Sequence, residues 1–210
     1  MVTPHVVPVK VLVASGNAKK LVELETVLQE LGVEGIELVS LKDIPAYPEP
    51  VENGLTFAEN ALLKAREGAR QSGFACVADD SGLAVDALNG MPGILSARWC
   101  GRHGDDSANN ELLLAQTSDI DDPNRGAAFV SCCALVTPAG EEFTAEGRWE
   151  GALLREPKGE GGFGYDPIFA PADAPGMSAA QLTPEEKNAR SHRGKALREL
   201  APRIAELVNG

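Results

Sequence analysis

Two adjacent aspartates, Asp79 and Asp80, end the apolar run FACVA and are followed at once by Ser81-Gly82 and a second apolar run, LAV. Carboxylate oxygens suit Mg²⁺, which takes one or two of them and completes its shell with water and phosphate oxygens. Successive side chains of an extended chain face opposite ways. One acid could then hold a metal while its neighbour accepts a proton from water. Ser81-Gly82 is expected to bend the chain and bring both acids to one cleft, with Glu52, Glu59 and Asp86 as further carboxylates of the set. The same residues equally fit a polar loop in which aspartate is a turn former.

Three other stretches carry possible chemistry. ASGNAKKLVE, Ala14 to Glu23, leads from a strand through small residues into a helix. Unpaired N–H groups and the positive dipole end at a helix start attract anions, and Ser15, Asn17 and Lys20 add hydrogen bonds and a charge. Alone, it is a phosphate cradle or an ordinary connection with Asn17 as cap. GEGGFGYDP, Gly159 to Pro167, contains the spacing G-x-G-x-x-G. A dinucleotide-binding turn needs a strand before it and a helix after it, whereas Pro167 and a strand-like IFA follow here. Its chemical interest is Phe163, a ring that stacks on a base if exposed or joins the core if not. EEKNARSHRGKALR, Glu185 to Arg198, concentrates Lys187, Arg190, Arg193, Lys195 and Arg198. His192 and Arg193, at a helix entry, can bind phosphate or a base edge; a solvated basic face is the alternative.

The elements that must position these residues follow from periodicity. Lys10 to Ser15 reads as a buried strand. Leu21, Leu24, Leu28 and Leu31 recur at helical spacing, and Gly32 stops that helix. Pro45, Pro48 and Pro50 make a loop of Ser40 to Gly54. Thr56 and Glu59 have capping-box spacing for a helix through about Gln71. FACVAD and LAVDAL read as two strands, and a helix is expected near Ala108 to Gln116. GAAFVSCCALVTP and EEFTAEGRWEG read as a hairpin across Pro-Ala-Gly. Leu154 to Tyr165 is a glycine-rich loop. Thr183, Pro184 and Glu186 open a short helix, and Ser191 caps a last one with Leu197, Leu200, Ile204 and Leu207 on its apolar face. The order of elements predicts α/β with a mixed sheet.

The totals set limits. The chain of 210 residues carries 19 Lys and Arg against 31 Asp and Glu, a net charge of −12. Binding to nucleic-acid polymers rests on basic side chains neutralising phosphates, so no such partner is expected. With aromatics at 5%, the core must be mostly Ala, Val and Leu. Cys76, Cys100, Cys132 and Cys133 form no C-x-x-C pair and accompany only 3 histidines, which disfavours a zinc site and a disulfide framework. The N-terminus MVTPHVVPVKVLVA has no charged leader of a signal peptide, and no apolar run reaches membrane-spanning length. A cytoplasmic protein without membrane contact is expected.

Together, SGNAKKLVE, GLTFAENALLKA, ADDSGLAVDALNGMPGILSAR, GGFGYDPIF and LTPEEKNARSHRGKAL resemble the inosine triphosphate pyrophosphatase family, in family order from near residue 10 to near residue 200. The resemblance implies a single two-lobed α/β domain over residues 1–210, a mixed β-sheet with flanking helices and a nucleotide groove between the lobes, with residues 1–9 as an N-terminal extension. It implies a homodimer that, with Mg²⁺, hydrolyses ITP, dITP and XTP at the α-phosphate to the monophosphate and pyrophosphate, cleansing the nucleotide pool. Carried over residue by residue, the triphosphate turn falls on Ser15, Gly16, Asn17 and Lys20. The metal carboxylates fall on Glu52 and on Asp79 or Asp80, the proton acceptor on Asp80, and substrate contacts on Ser81 and Lys64. Phe163, Gly164, Tyr165 and Asp166 hold base and sugar, with Phe163 as the stacking ring, and Lys187, His192 and Arg193 complete the site.

Three rivals remain. A related pyrophosphatase for modified pyrimidine triphosphates would share the acids, but SHRGKAL and GGFGYDP favour the purine family. A nucleotide-binding module without turnover needs no base, which the retention of Glu52, Asp79 and Asp80 argues against. A Mg²⁺-dependent nuclease conflicts with the net charge.

Overall fold

The computed structural model describes residues 7–209. Most of the expected N-terminal extension therefore lies outside the described residues, and Val9 already opens the first strand. Strand β1 (Val9–Val13) runs parallel to β2 (Ile36–Ser40), with Val9 opposite Ile36, and parallel to β3 (Ala75–Val85), with Val11 opposite Ala75. Strands β4 (Gly126–Val136) and β5 (Glu142–Leu153) follow, then β6 (Phe169–Pro171), antiparallel to β5. The strand order is β2-β1-β3-β4-β5-β6, so the sheet is mixed, as the element order predicts. The β4–β5 turn closes through Thr137 N–H to the Glu141 carbonyl at 2.9 Å, with Gly140 at φ +89.

One sequence expectation is corrected at the acids. FACVAD and LAVDAL are not two strands with a bend between them. β3 runs through Asp79-Asp80-Ser81-Gly82 without a break, and Asp86 to Leu88 is a turn of 3-10 helix. Gly82 serves close packing and not a bend. A Cβ there would stand 2.4 Å from Ser96 Oγ and 2.5 Å from the Gly93 carbonyl. Ser96 Oγ in turn accepts the Leu83 N–H at 2.9 Å, locking the strand to this neighbour.

The described chain divides into two compact units. The first comprises the described residues of 1–80, 132–146 and 194–210. Strand alternation sorts its core onto two faces. Val11, Val13, Ala75, Val77 and Leu135 pack with Leu24 and Leu28 of α1 (Ala18–Glu30) and with Leu197, Leu200 and Ile204 of α5 (His192–Asn209). Leu12, Cys76, Ala78 and Ala134 pack instead with Ala61, Ala65 and Ala69 of α2 (Phe57–Ser72). The alanine face lets α2 approach closely, and Gly68 marks the tightest point, where a Cβ would meet Cys76 Sγ at 2.4 Å.

The second unit comprises residues 81–131 and 147–193. Here the buried aromatics gather. Phe129, Trp149 and Phe169 pack together, with 4.7 Å between the Phe129 and Phe169 centroids, beside Leu113 of α3 (Asp106–Gln116). Arg125, only 2% exposed, donates to the carbonyls of Thr117, Leu153 and Leu154, so a buried cation satisfies the last turn of α3 and a strand end. Helix α4 (Pro184–Arg190) opens as predicted, with the reciprocal bonds of a capping box between Thr183 and Glu186 and Pro184 in the first turn.

Candidate active site

In the first unit the turn after β1 folds on its own side chains. Ser15 Oγ accepts the Asn17 N–H at 3.1 Å, and Asn17 Oδ1 accepts the Lys19 N–H at 3.0 Å, capping α1. Gly16 faces open space, and the first turn of α1 carries no acid. An anion can therefore approach the positive helix end directly.

The acids of β3 lie on the two faces that alternation assigns them. Asp79, only 8% exposed, belongs to the α1 face and receives Lys20 Nζ at 2.7 Å. Asp80 belongs to the α2 face, where Asn60 Nδ2 donates to it at 3.0 Å and Lys64 Nζ stands 3.9 Å away. The same Lys64 ammonium pairs with Glu52 at 3.1 Å. Glu52 and Asp80 thus share one cation, and of the two aspartates expected as alternative metal ligands beside Glu52, Asp80 lies with it while Asp79 sits across the strand. Among the described residues no three His, Cys, Asp or Glu side chains gather as a ready-made ligand set. Two hard oxygen donors already gathered around positive charge fit Mg²⁺, which takes its remaining ligands from water and phosphate.

Thr56 caps α2 as expected, its hydroxyl accepting the Glu59 N–H at 3.1 Å. The return bond is displaced, because the Glu59 carboxylate reaches Leu55 N–H at 2.6 Å and not Thr56. Glu59 is therefore spent on the helix entry. Asn60 is the residue that sequence reasoning missed here. It is fully buried, and its carbonyl oxygen accepts Gly54 N–H at 2.8 Å while its amide nitrogen orients Asp80. The only sequence signal was a poor helix former inside an alanine-rich helical face.

The second unit builds a separate group of sequence-predicted residues. Phe163 is 68% exposed, the open alternative of the two, and Lys187 Nζ lies 4.4 Å from its ring centroid. Asp166 is buried, accepts Phe163 N–H at 2.8 Å and pairs with Lys187. Gly164 takes φ +60, donates its N–H to Asp106 at 2.7 Å and accepts from Asn110 through its carbonyl at 3.0 Å. Tyr165 turns inward. Its ring is 4% exposed and its hydroxyl donates to the Ser96 carbonyl at 2.8 Å, with burial pushing its pKa up. Ser81 donates to buried Ser131 at 2.9 Å, a second partner not foreseen. The His192 ring stacks on Phe129 at 5.3 Å and 13°, which fixes its plane at the entry to α5, and Arg193 follows it, half-buried. Elsewhere in the basic run, Arg198 pairs with Glu30 at 2.9 Å and Arg190 donates to the Glu186 carbonyl, as a solvated face would.

Comparison with known proteins follows the same outline. The profile of the Ham1 family matches residues 11–203. The dITP/XTP pyrophosphatase of Corynebacterium efficiens is 63% identical over 204 residues, covering 95% of this chain and 99% of its own. The dITP/XTP pyrophosphatase of Mycobacteroides abscessus is 65% identical over 200 residues, covering 95% and 97%. Among solved structures, a HAM1 protein from Coxiella burnetii superposes with a TM-score of 0.85 at 39% identity, over 94% of this chain and 99% of the other.

Proposed function

The chain belongs to the Ham1 family, and from that premise we propose that it hydrolyses aberrant purine nucleoside triphosphates, ITP, dITP and XTP, at the α-phosphate, releasing the monophosphate and pyrophosphate. Relatives of near full length that carry the name dITP/XTP pyrophosphatase support the substrate class. The observation that carries the chemistry is the split pair on β3, Asp79 with Lys20 on one face and Asp80 with Lys64 and Glu52 on the other.

The two acids divide the work. Asp79 is committed to a contact ion pair that holds Lys20 at the start of α1, where Ser15, Gly16 and Asn17 present the turn to the triphosphate. Asp80 is oriented by the Asn60 amide and accepts the proton of the attacking water. As water oxygen bonds to the α-phosphorus, the bond to the bridging oxygen of the β-phosphate breaks, and pyrophosphate leaves with the electron pair. Glu52 and Asp80 are the residues that would hold Mg²⁺. When bound, Mg²⁺ neutralises phosphate charge and polarises the phosphoryl oxygens. Positioned proton acceptors contribute typically 10²–10⁴-fold to rate.

Phe163 offers its face to a purine, and His192 and Arg193 offer donors. A 6-oxo group accepts such bonds, whereas adenine presents a 6-amino donor and leaves buried donors unpaired, a mismatch able to discriminate by ~10⁴-fold. An Arg193→Ala variant should therefore lose most of its preference for ITP over ATP in kcat/KM, and an unchanged ratio would contradict this assignment. The resemblance also carries a homodimer, which sedimentation would test. Four free cysteines suit a reducing, cytoplasmic setting.

A further inference from the structure

We infer that Asp106 and Asn110 of α3 are specificity-determining positioning residues, which set the place of the Phe163 ring by clamping the Gly164 residue beside it; the inference rests on the nucleotide reading above. The two residues are four apart on a helix and so share one face. Asp106 accepts Gly164 N–H at 2.7 Å, and Asn110 Nδ2 donates to the Gly164 carbonyl at 3.0 Å. Both backbone polar groups of one residue are thereby held by one helix. The residue held is a left-handed glycine, at φ +60, immediately after an exposed ring.

An exposed aromatic on a glycine-rich loop is otherwise free to move, and a mobile ring must be ordered when it stacks on a base, at a cost in affinity. Gly159, Gly162 and Gly164 all take positive φ, so the loop itself supplies little stiffness. Restraint comes from outside it. Asp166 fixes Phe163 N–H from the C-terminal side, and the α3 clamp fixes Gly164. Asn110 is 8% exposed, and its Oδ1 makes no hydrogen bond among the described residues. Leaving a buried acceptor unsatisfied is unfavourable, so an asparagine kept there for packing alone would be a poor choice; its amide donor to Gly164 is what it contributes. Neighbouring Asn109 does a different task, accepting Cys100 N–H at 2.8 Å.

The test compares Asp106→Ala, Asp106→Asn and Asn110→Leu with the parent protein in two measurements. The first is the Kd, by calorimetry with Mg²⁺ present, of an ITP analogue with a methylene group between the α- and β-phosphorus, which cannot be cleaved at that bond. The second is kcat and KM for ITP and for methyl triphosphate, which keeps three phosphates and lacks base and sugar. Stacking on an aromatic ring is a substantial part of base affinity, so Asp106→Ala and Asn110→Leu should weaken ITP binding and raise its KM by roughly 10-fold. Methyl triphosphate kinetics should stay within about twofold, and Asp106→Asn, which retains an acceptor, should recover most of the ITP affinity. Equal losses on both substrates would overturn the clamp, because the variants would then be acting on the triphosphate site or the fold. Unchanged ITP binding would overturn it too. A parent protein that binds ITP without cleaving it would sink the hydrolase reading alone, since the Kd comparison would still decide the clamp.

Discussion

At the scale of single residues, the proposed chemistry rests on a pair of neighbours that a strand holds apart. Asp79 and Asp80 differ by one position, and that one position gives them different faces, different lysines and different surroundings. Asp80→Asn keeps the size of the side chain and an acceptor for Asn60 Nδ2, so the fold should change little, while loss of one of the two carboxylates proposed for Mg²⁺ should weaken the Kd of the uncleavable ITP analogue measured with Mg²⁺. Its kcat should fall by about 10³-fold, within the range typical of a lost proton acceptor. Stopped assays of kcat beside calorimetric Kd check this directly, and a kcat within tenfold of the parent would move the proton acceptor elsewhere. The pair itself was legible in VADDSGLAV. Its partner Asn60 was not, because a hydrogen bond across 20 positions leaves no local pattern.

At the scale of elements, helix α2 shows how packing places chemistry. Its Ala61, Ala65 and Ala69 let it lie close to β1 and β3, and that approach brings Asn60 and Lys64 within reach of Asp80. Gly68→Val would force methyl groups into Cys76 Sγ and Leu12, where even a Cβ stands 2.4 Å and 3.1 Å from its neighbours. Overpacking of this kind costs about 1–3 kcal/mol, more than the few tenths gained in helix propensity over glycine. The melting temperature should drop by roughly 3–8 °C. A melt unchanged from the parent would mean that α2 can retreat freely. Elements with end signals were readable in advance: Thr183 and Glu186 opened α4, and Gly32 closed α1, because caps are local chemistry. β3 was misread because Asp, Ser and Gly at its middle are turn formers by propensity. Lys20, Asn60 and the close neighbour at Ser96 override that propensity with contacts from distant parts of the chain.

At the scale of the molecule, the family fold was readable from five motifs, whereas the division of the aromatics was not. Composition predicted a core of small aliphatics, which describes the first unit; the second collects Phe129, Trp149, Tyr165 and Phe169. Burial has a consequence for stability at alkaline pH. Cys76 is fully buried, and burial pushes its thiol from 9.0 up to about 12, while burial likewise raises Tyr165 above its usual 10.0. Both groups keep their protons in the folded protein to higher pH than in the unfolded chain. Their contribution is therefore complete below pH 9 and is lost as pH rises towards 12, with a slope of about 1 kcal/mol per pH unit for each group. Urea midpoints measured at pH 8, 10 and 11 should fall steadily, and Cys76→Ala should show a shallower fall than the parent. Parallel pH dependences would exclude Cys76 as a source.

The central claim is attack at the α-phosphate, and one measurement tests it most directly: hydrolysis of ITP by the purified protein with Mg²⁺ in ¹⁸O-labelled water, with the products identified by mass. The expected result is IMP carrying one ¹⁸O and unlabelled pyrophosphate, with little turnover of ATP or GTP under the same conditions. Label in pyrophosphate would place the attack on the β-phosphorus. IDP with orthophosphate would place it on the terminal phosphate, and either outcome would contradict the assignment of Asp80 to water at the α-phosphate.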